Sequence, residues 1–316
     1  MRAPLAKAGL ALLFPAVAFL FLGDLFVRGR ILLARDALAD SVPMRLFEAH
    51  SLRAGEFPFW CPFFGPGKPF FADTTASAYP ATLLYALLSP ATALRLDWLL
   101  HIAIAGASFY FLVRQFCFTR TAAVTCAIGF MLSTWMFVRA EFLPAFEAAA
   151  WIPLPLALVV RFDRRLTSGP TSFRALGREW PLVAGLAAVF VISFLANYPE
   201  FILYPLVATA LFIAGTAKRA WRNAVFLGLA GGLALLIVSP QLGPMLEFLP
   251  FTERGGAFDA RFDMASFGLP HLTTLLFPFI AGRPGYPDML WARGVYEYWA
   301  IACFVGVLPL CAARLS

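Results

Sequence analysis

The feature that most constrains this chain is a series of apolar runs, each close to the length needed to cross a lipid bilayer. Hydrophobic residues make up 61% of the sequence and charged residues 14%, whereas a soluble domain is nearer half apolar and a quarter charged. We therefore predict an all-α polytopic membrane protein with about eight transmembrane helices. The predicted spans are 5–27, 98–116, 121–138, 146–161, 181–197, 199–215, 222–247 and 297–313.

The distribution of charge predicts how these spans are oriented. If the short run 80–96, which Pro90 splits, stays on one side, the cytoplasmic segments carry thirteen of the 25 basic residues and two of the 18 acids. Short basic loops on the cytoplasmic side agree with the positive-inside rule. We therefore predict a cytoplasmic N-terminus and two external loops, 28–97 and 250–296. The net charge of +7 then reflects topology, and no nucleic-acid partner is expected.

The first external loop is predicted to begin with an interfacial helix. Asp36 and Asp40 stand four residues apart and would share one face of it. Leu38, Val42, Leu46 and Leu52 with Phe47 follow at the spacing of an amphipathic helix. The polar side of this helix is predicted to consist of Arg35, Arg45, Glu48 and Arg53.

A second stretch of the same loop is rich in proline and aromatic residues. Pro58, Pro62, Pro66 and Pro69, with two intervening glycines, exclude regular structure. The interleaved aromatic residues predict a rigid strip on the membrane surface. Trp60 and Phe63 are expected to pack beneath the interfacial helix. The aromatic residues are Trp60, Phe63, Phe64, Phe70 and Phe71.

Acids at the ends of predicted spans are candidates for function because charged groups at membrane depth are costly. Glu147, Glu200 and Glu247 hold such positions. The alternative is that they cap helices and mark the outer interface. The five cysteines lack a CxxC pair and the three histidines lack an HxxxH pattern, so the sequence indicates no metal site, although a divalent ion is not excluded.

Several motifs resemble YfhO-type bacterial membrane proteins of the GT-C glycosyltransferase superfamily. An acid soon after the first span is followed seven residues later by a proline, and a Gly-Glu-Phe-Pro-Phe-Trp-Cys-Pro sequence and a glycine-rich turn come next. The chain departs from the family pattern at Cys61, where Asn is expected, and at Asp40, where a neutral polar residue is expected. The matching stretches are Asp36 with Pro43, 55–62, 65–69, Tyr79-Pro80, 151–154, Pro270 with 275–278, and 294–298.

The resemblance implies a GT-C-like helical bundle in the bacterial cytoplasmic membrane that transfers a sugar on the extracytoplasmic face. The donor would be a polyprenyl-phosphate sugar and the acceptor a component of the cell envelope. Membrane lipids would be further partners of the protein. Family members are expected to be longer, so residues 1–316 are expected to form the N-terminal portion of a longer protein. No cofactor is expected.

The resemblance also assigns roles to residues. Asp36 would act as general base toward the acceptor hydroxyl or would orient it, and Asp40 would stand beside it as the second catalytic acid. Two carboxylates one helical turn apart would raise the pKa of one of them. The predicted substrate-binding residues are Arg35, Arg45, Trp60, Asp73, Glu147, Glu200, His271 and Arg283.

Some assignments stay open at this stage. A cation should stabilise the leaving phosphate, and Arg35, Arg45, Arg53, Arg283 and Arg293 are all candidates for it. His271 is alternatively a polar surface residue. A transporter or flippase of lipid-linked cargo and a catalytically inactive scaffold are the rival functions; the first would place its site near the bilayer midplane.

Overall fold

The computed structural model describes residues 2–31, 36–63, 65–73, 78–167, 177, 179–196, 200–215 and 220–252. Within these ranges the protein is all-α apart from one very short hairpin, which agrees with the predicted class. The helices are α1 (Arg2–Val27), α2 (Val42–Arg53), α3 (Thr82–Leu87), α4 (Pro90–Gln115), α5 (Arg120–Met131), α6 (Thr134–Val138), α7 (Leu143–Trp151), α8 (Pro153–Thr167), α9 (Trp180–Leu195), α10 (Glu200–Gly215) and α11 (Ala220–Phe248).

Three helical stretches among the described residues are long and apolar enough to cross a membrane. They are Pro90–Gln115, Leu143–Arg165 and Ala220–Phe251, and shorter apolar helices cover Leu12–Val27, Trp180–Leu195 and Phe201–Gly215. Many of their large apolar side chains are exposed, such as Leu20, Leu211 and Leu236, as lipid-facing residues would be. The last predicted span, 297–313, lies outside the described residues.

The boundaries of several predicted spans are corrected. The span predicted at 98–116 begins at Pro90, because proline is well suited to the first position of a helix. The span predicted at 121–138 is divided between α5 and α6, and Ser133 begins the second piece by accepting a hydrogen bond from the Met136 amide at 3.3 Å. Ile152 separates α7 from α8, directly before Pro153.

Close packing fixes the relative direction of α1 and α4. A Cβ atom at Gly106 of α4 would lie 2.7 Å from Phe14 of α1 and 2.6 Å from Met131 of α5, so only glycine permits this approach. Farther along, Arg95 near the start of α4 donates to the carbonyl oxygen of Leu25 near the end of α1, at 3.3 Å. The two helices are therefore antiparallel.

The α7–α8 pair runs parallel to α4. Ser108 of α4 donates to the carbonyl oxygen of Ala150 at 2.8 Å. Beyond it, the guanidinium of Arg161 lies 5.4 Å from the Phe111 ring, and Arg164 donates to the carbonyl oxygen of Gln115. The N-terminal ends of α4 and α7 therefore meet at one end of the bundle, which we call the α4 N-terminal end.

At the α4 N-terminal end, α2 packs against α3 and the bundle with a face that is only partly the one predicted. Val42 and Leu46, predicted on the apolar side, enter the core together with Ala49. Arg45 and Glu48, predicted on the polar side, are buried as well, with 3% and 5% of their surface exposed. Polar partners on α3 and α7 explain why these two charged residues are buried.

The proline-rich strip contains a minimal hairpin, so the prediction of no regular structure there is wrong. Strand β1 (Trp60–Cys61) pairs antiparallel with β2 (Lys68–Pro69), with Trp60 opposite Pro69. Cys61 and Phe70 are buried against Met44 of α2. Pro69 is compatible with the hairpin because a two-residue ladder leaves edge positions without a required donor.

The expected burial of Trp60 and Phe63 is also wrong. Trp60 is 55% exposed and Phe63 is 76% exposed. The indole of Trp60 lies over Gly67, where a Cβ atom would come within 2.4 Å of Nε1 and where the backbone φ is +94°. The hairpin thus turns Trp60 and Phe63 outward, and Phe57 and Phe59 are exposed with them, whereas Phe70 is buried.

Candidate functional site

Apart from Trp60, which is exposed on the hairpin, the predicted site residues whose side chains the structure describes form two groups near α2. Asp36, Asp73 and Lys68 all act electrostatically on Asp40, and we call these four residues the acid–lysine cluster. Arg45 and Glu147 meet inside the bundle in a larger buried polar network. The members of this network are Arg45, Glu48, Tyr79, Thr82, Tyr85, Asp97, His101, Glu147 and Trp151.

The acid–lysine cluster links the start of the interfacial helix to the hairpin. Asp36 precedes a π-helical turn, Ala37–Ser41, which continues into α2, and its exposed side chain makes no capping hydrogen bond. Asp40 is half-buried in that turn. Lys68 of β2 lies 2.6 Å from the carboxylate of Asp73. Three carboxylates and one ammonium group therefore occupy the junction of α2 and the hairpin.

The environment of Asp40 favours its protonated form. Burial raises the pKa of the Asp40 carboxyl, the Lys68 ammonium partly opposes this, and the Asp73 and Asp36 carboxylates raise the pKa further. Burial is the main cause of the raised pKa, and the neighbouring acids, which the sequence predicted to raise one pKa, act in the same direction. A carboxylate with a raised pKa is a stronger base near neutrality than an ordinary aspartate.

The buried polar network is built around Arg45. Its Nη2 donates to both carboxylate oxygens of Glu147, at 2.9 and 2.7 Å, and its Nη1 donates to the Thr82 hydroxyl at 2.6 Å. The Tyr79 ring lies 5.7 Å from the guanidinium. Although burial alone would lower it, the Glu147 and Glu48 carboxylates raise the pKa of Arg45 above its ordinary value, so this cation is permanent.

Glu48 completes this side of the network. It accepts a hydrogen bond from Thr82 at 2.9 Å and lies 3.8 Å from the Arg45 guanidinium. Burial raises the pKa of Glu48 to about 7, against the opposing effects of Arg45 and Thr82. Glu48 therefore changes its charge within the physiological pH range, which few buried groups outside histidine do.

The other side of the network holds two residues that sequence reasoning missed, Asp97 and His101. His101 Nδ1 lies 2.7 Å from an Asp97 carboxylate oxygen and 2.9 Å from the Asp97 carbonyl oxygen. Tyr85 donates to Asp97 at 3.0 Å. The signal was present in the sequence, because two ionisable residues four apart at the start of an apolar run are unusual.

A chain of contacts joins Trp151, Tyr79 and His101. Trp151, whose indole can only donate, donates to the Tyr79 hydroxyl oxygen at 2.7 Å. The Tyr79 hydroxyl also lies 2.7 Å from His101 Nε2. The other ring nitrogen of His101, Nδ1, faces both the side chain and the carbonyl oxygen of Asp97.

Of the remaining candidate residues, those that the structure describes join neither group. Glu200 begins α10, but its side chain, like all of Arg35, His271, Arg283 and Arg293, lies outside the described residues. Glu247 is exposed near the end of α11. Arg53 donates to the carbonyl oxygens of Tyr85 and Ala86, both at 2.6 Å, and so closes the end of α3.

Comparison with known proteins identifies no relative of this chain. No family model, no curated protein and no solved structure matches the chain. Among the described residues, no three histidine, cysteine, aspartate or glutamate side chains stand together as possible metal ligands. The function must therefore be argued from the acid–lysine cluster and the buried polar network.

Proposed function

We propose that the chain forms a membrane glycosyltransferase module of the GT-C type, which moves a sugar from a polyprenyl-phosphate donor to an acceptor on the extracytoplasmic side of the bacterial cytoplasmic membrane. The observation that carries this proposal is the acid–lysine cluster. It combines the two acids expected to be catalytic with a third acid and a cation, beside helices suited to a membrane. The module would have about eight transmembrane helices and a cytoplasmic N-terminus.

In the proposed reaction, Asp40 is the general base and Asp36 orients the acceptor. The Asp40 carboxylate takes the proton of the acceptor hydroxyl as the hydroxyl oxygen attacks C1 of the donor sugar. The bond from C1 to the phosphate oxygen breaks, and the polyprenyl phosphate leaves with that electron pair. The raised pKa of Asp40 supports this role, because a stronger base accepts the proton more readily.

The position of the cluster beside exposed aromatic residues supports a lipid-linked donor. Phe59, Trp60 and Phe63 are exposed on the hairpin that carries Lys68. Aromatic side chains of this kind favour the membrane–water interface, and a donor anchored by its polyprenyl chain presents its sugar at the same depth. The Lys68 ammonium acts electrostatically on Asp40, and this positive charge supports a role for the cluster toward an anionic donor.

The experiment is a transfer assay in membranes that contain the full-length protein at matched expression. With a radiolabelled polyprenyl-phosphate sugar, Asp40→Asn should lower turnover by roughly a hundredfold or more, the scale of a lost general base. Asp36→Asn should lower turnover by up to about a hundredfold, the scale of a misplaced reacting group. Asp24→Asn is the matched control, because Asp24 is exposed at the end of α1 and pairs only with Arg28 and Arg30 among the described contacts.

The same variants separate the rival functions. Unchanged turnover in Asp40→Asn and Asp36→Asn would contradict the catalytic proposal. If no transfer occurs with the unaltered protein either, the inactive scaffold is favoured. If the labelled lipid instead moves between the leaflets of reconstituted vesicles without being consumed, the transporter is favoured.

A further inference from the structure

We propose that the ion pair of Arg45 and Glu147 is a latch that fixes the position of the Asp36–Asp40 turn on the bundle, so that Arg45 is a positioning residue. The inference rests on the proposed function for its catalytic consequence. Its structural part, the docking of α2, can be tested without any transfer activity.

The covalent path from Arg45 to the acids is short and helical. The π-helical turn Ala37–Ser41 passes directly into α2 without a loop, and Arg45 follows Asp40 by five positions. A change in the rotation or register of α2 would therefore move Asp36 and Asp40 with it. Both acids lie at the N-terminal end of this helical segment, and Arg45 lies in its middle.

Apolar packing alone holds α2 weakly in register. Val42 and Ala49 are the buried apolar residues by which α2 enters the main core, with Leu46 partly buried beside them, and hydrophobic contacts are non-directional. Arg45, in contrast, makes contacts of defined direction to both carboxylate oxygens of Glu147 and to Thr82. Such directed charge-assisted hydrogen bonds specify one geometry.

The bundle side of the latch is itself immobilised. Glu147 lies on α7 with 0% of its surface exposed. The Tyr79 ring faces the Arg45 guanidinium, and its hydroxyl is held by His101 and Trp151 at 2.7 Å each. His101 of α4 thus supports the latch indirectly through Tyr79. The network connects the acid-bearing segment to both α4 and α7.

The test removes the charges of both partners together, in a protein that already carries Glu48→Gln, because Glu48 would otherwise lose the cation that lies 3.8 Å away. Replacing a buried ion pair by apolar residues of similar volume is often neutral for stability, so Arg45→Met with Glu147→Met should fold. Should this double variant fail to fold, Glu147→Gln keeps the shape and one acceptor and serves instead. Asp163→Leu with Asn223→Leu is the matched control, because it removes a buried polar pair, joined at 2.9 Å, between α8 and α11.

The first readout is the exposure of α2. Ala49→Cys is introduced into a variant without the five native cysteines, at a position that is 1% exposed against the bundle. In the latch variant this thiol should react with a water-soluble maleimide at least about tenfold faster than in the control, because local opening becomes easier. Equal protection in both variants would overturn the latch, whatever their transfer activity.

The second readout is the pH dependence of transfer. The groups that face Asp40 are Asp36, Asp73 and Lys68, but burial shifts the pKa of Asp40 more than any of them does. When α2 undocks and Asp40 becomes exposed, its pKa therefore returns toward the ordinary aspartate value. The acidic limb of kcat/KM should therefore move to lower pH, and kcat should fall about a hundredfold with less change in KM. A fall in activity with an unmoved acidic limb would contradict the positioning role. If the thiol at position 49 becomes reactive in the latch variant but no protein, including the unaltered one, transfers sugar, the proposed function is refuted and the latch is supported.

Discussion

Arg45 Nη2 lies 2.9 and 2.7 Å from the two carboxylate oxygens of Glu147, a residue 102 positions later in the chain. This contact joins α2 to α7, which is part of a helical stretch long and apolar enough to cross a membrane. Both side chains are sealed from solvent, with 3% and 0% of their surface exposed. Its energetic consequences differ from those of a surface ion pair and can be tested directly.

Breaking the Arg45–Glu147 pair from one side should be costly. In Arg45→Met the buried carboxylate of Glu147 loses its cation, and the free energy of unfolding should fall by about 3–5 kcal/mol. Arg28→Met is the control, since Arg28 pairs with Asp24 at 2.6 Å while both side chains remain more than half exposed, at 59% and 55%. That change should cost about 1 kcal/mol or less. Denaturant titration in detergent micelles measures both, and equal losses would contradict the network's structural importance.

Glu48 should make the stability depend on pH. Its pKa is raised from 4.5 to about 7 in the folded protein, so between these values the unfolded chain binds fewer protons. The free energy of unfolding contributed by Glu48 is therefore highest at low pH and falls as pH rises through this window, by at most roughly 3 kcal/mol.

Glu48→Gln should remove this contribution, because glutamine does not titrate and can still accept the Thr82 hydrogen bond. The difference in unfolding free energy between this variant and the unaltered protein should grow in favour of the variant from pH 4.5 to pH 7. Glu56→Gln, at an exposed position, is the control. A difference that stays constant with pH would show that Glu48 titrates normally.

Trp60 should contribute little to stability, in contrast to the expectation for a buried tryptophan. Because it is 55% exposed, Trp60→Ala should lower the unfolding free energy by about 1 kcal/mol or less. Phe70→Ala, at a position only 2% exposed beside the same hairpin, should cost about 3–5 kcal/mol. Thermal unfolding of the two variants compares them, and a larger loss for Trp60→Ala would mean that its indole is covered.

The sequence predicted the helical class and the approximate places of the apolar helices, because hydrophobicity over twenty residues is a strong signal. It did not predict that the inward face of α2 also carries two charged residues, Arg45 and Glu48. Periodicity shows that a helix has two faces, but the burial of Arg45 depends on Glu147, which only the folded chain brings near. The same holds for His101, whose partner Tyr79 lies on a separate segment.

The acid–lysine cluster was predictable only in part. The spacing of Asp36 and Asp40 indicated that they influence each other, since residues four apart are neighbours on a helix, and Asp36 does act on the pKa of Asp40. Lys68 was not expected there, because it reaches the acids only through the β1–β2 hairpin. Prolines and glycines indicated a non-helical segment but could not show that its aromatic residues turn outward.

The predicted topology can be tested with one native and one introduced cysteine. Cys117 is exposed in the turn between α4 and α5, with a φ of +64°, on the side predicted to be cytoplasmic. Glu56 is exposed between α2 and the hairpin, on the side predicted to be external. In proteins that keep only Cys117 or only a cysteine from Glu56→Cys, an impermeant thiol reagent should label the second in intact cells and the first only after permeabilisation. The reason for this orientation is the positive-inside rule. Arg114 and Arg120 flank the α4–α5 turn in the sequence, and Arg164 near the end of α8 contacts Cys117 in that turn. Labelling of Cys117 but not of the cysteine at position 56 in intact cells would reverse the predicted orientation and with it the side on which transfer is proposed.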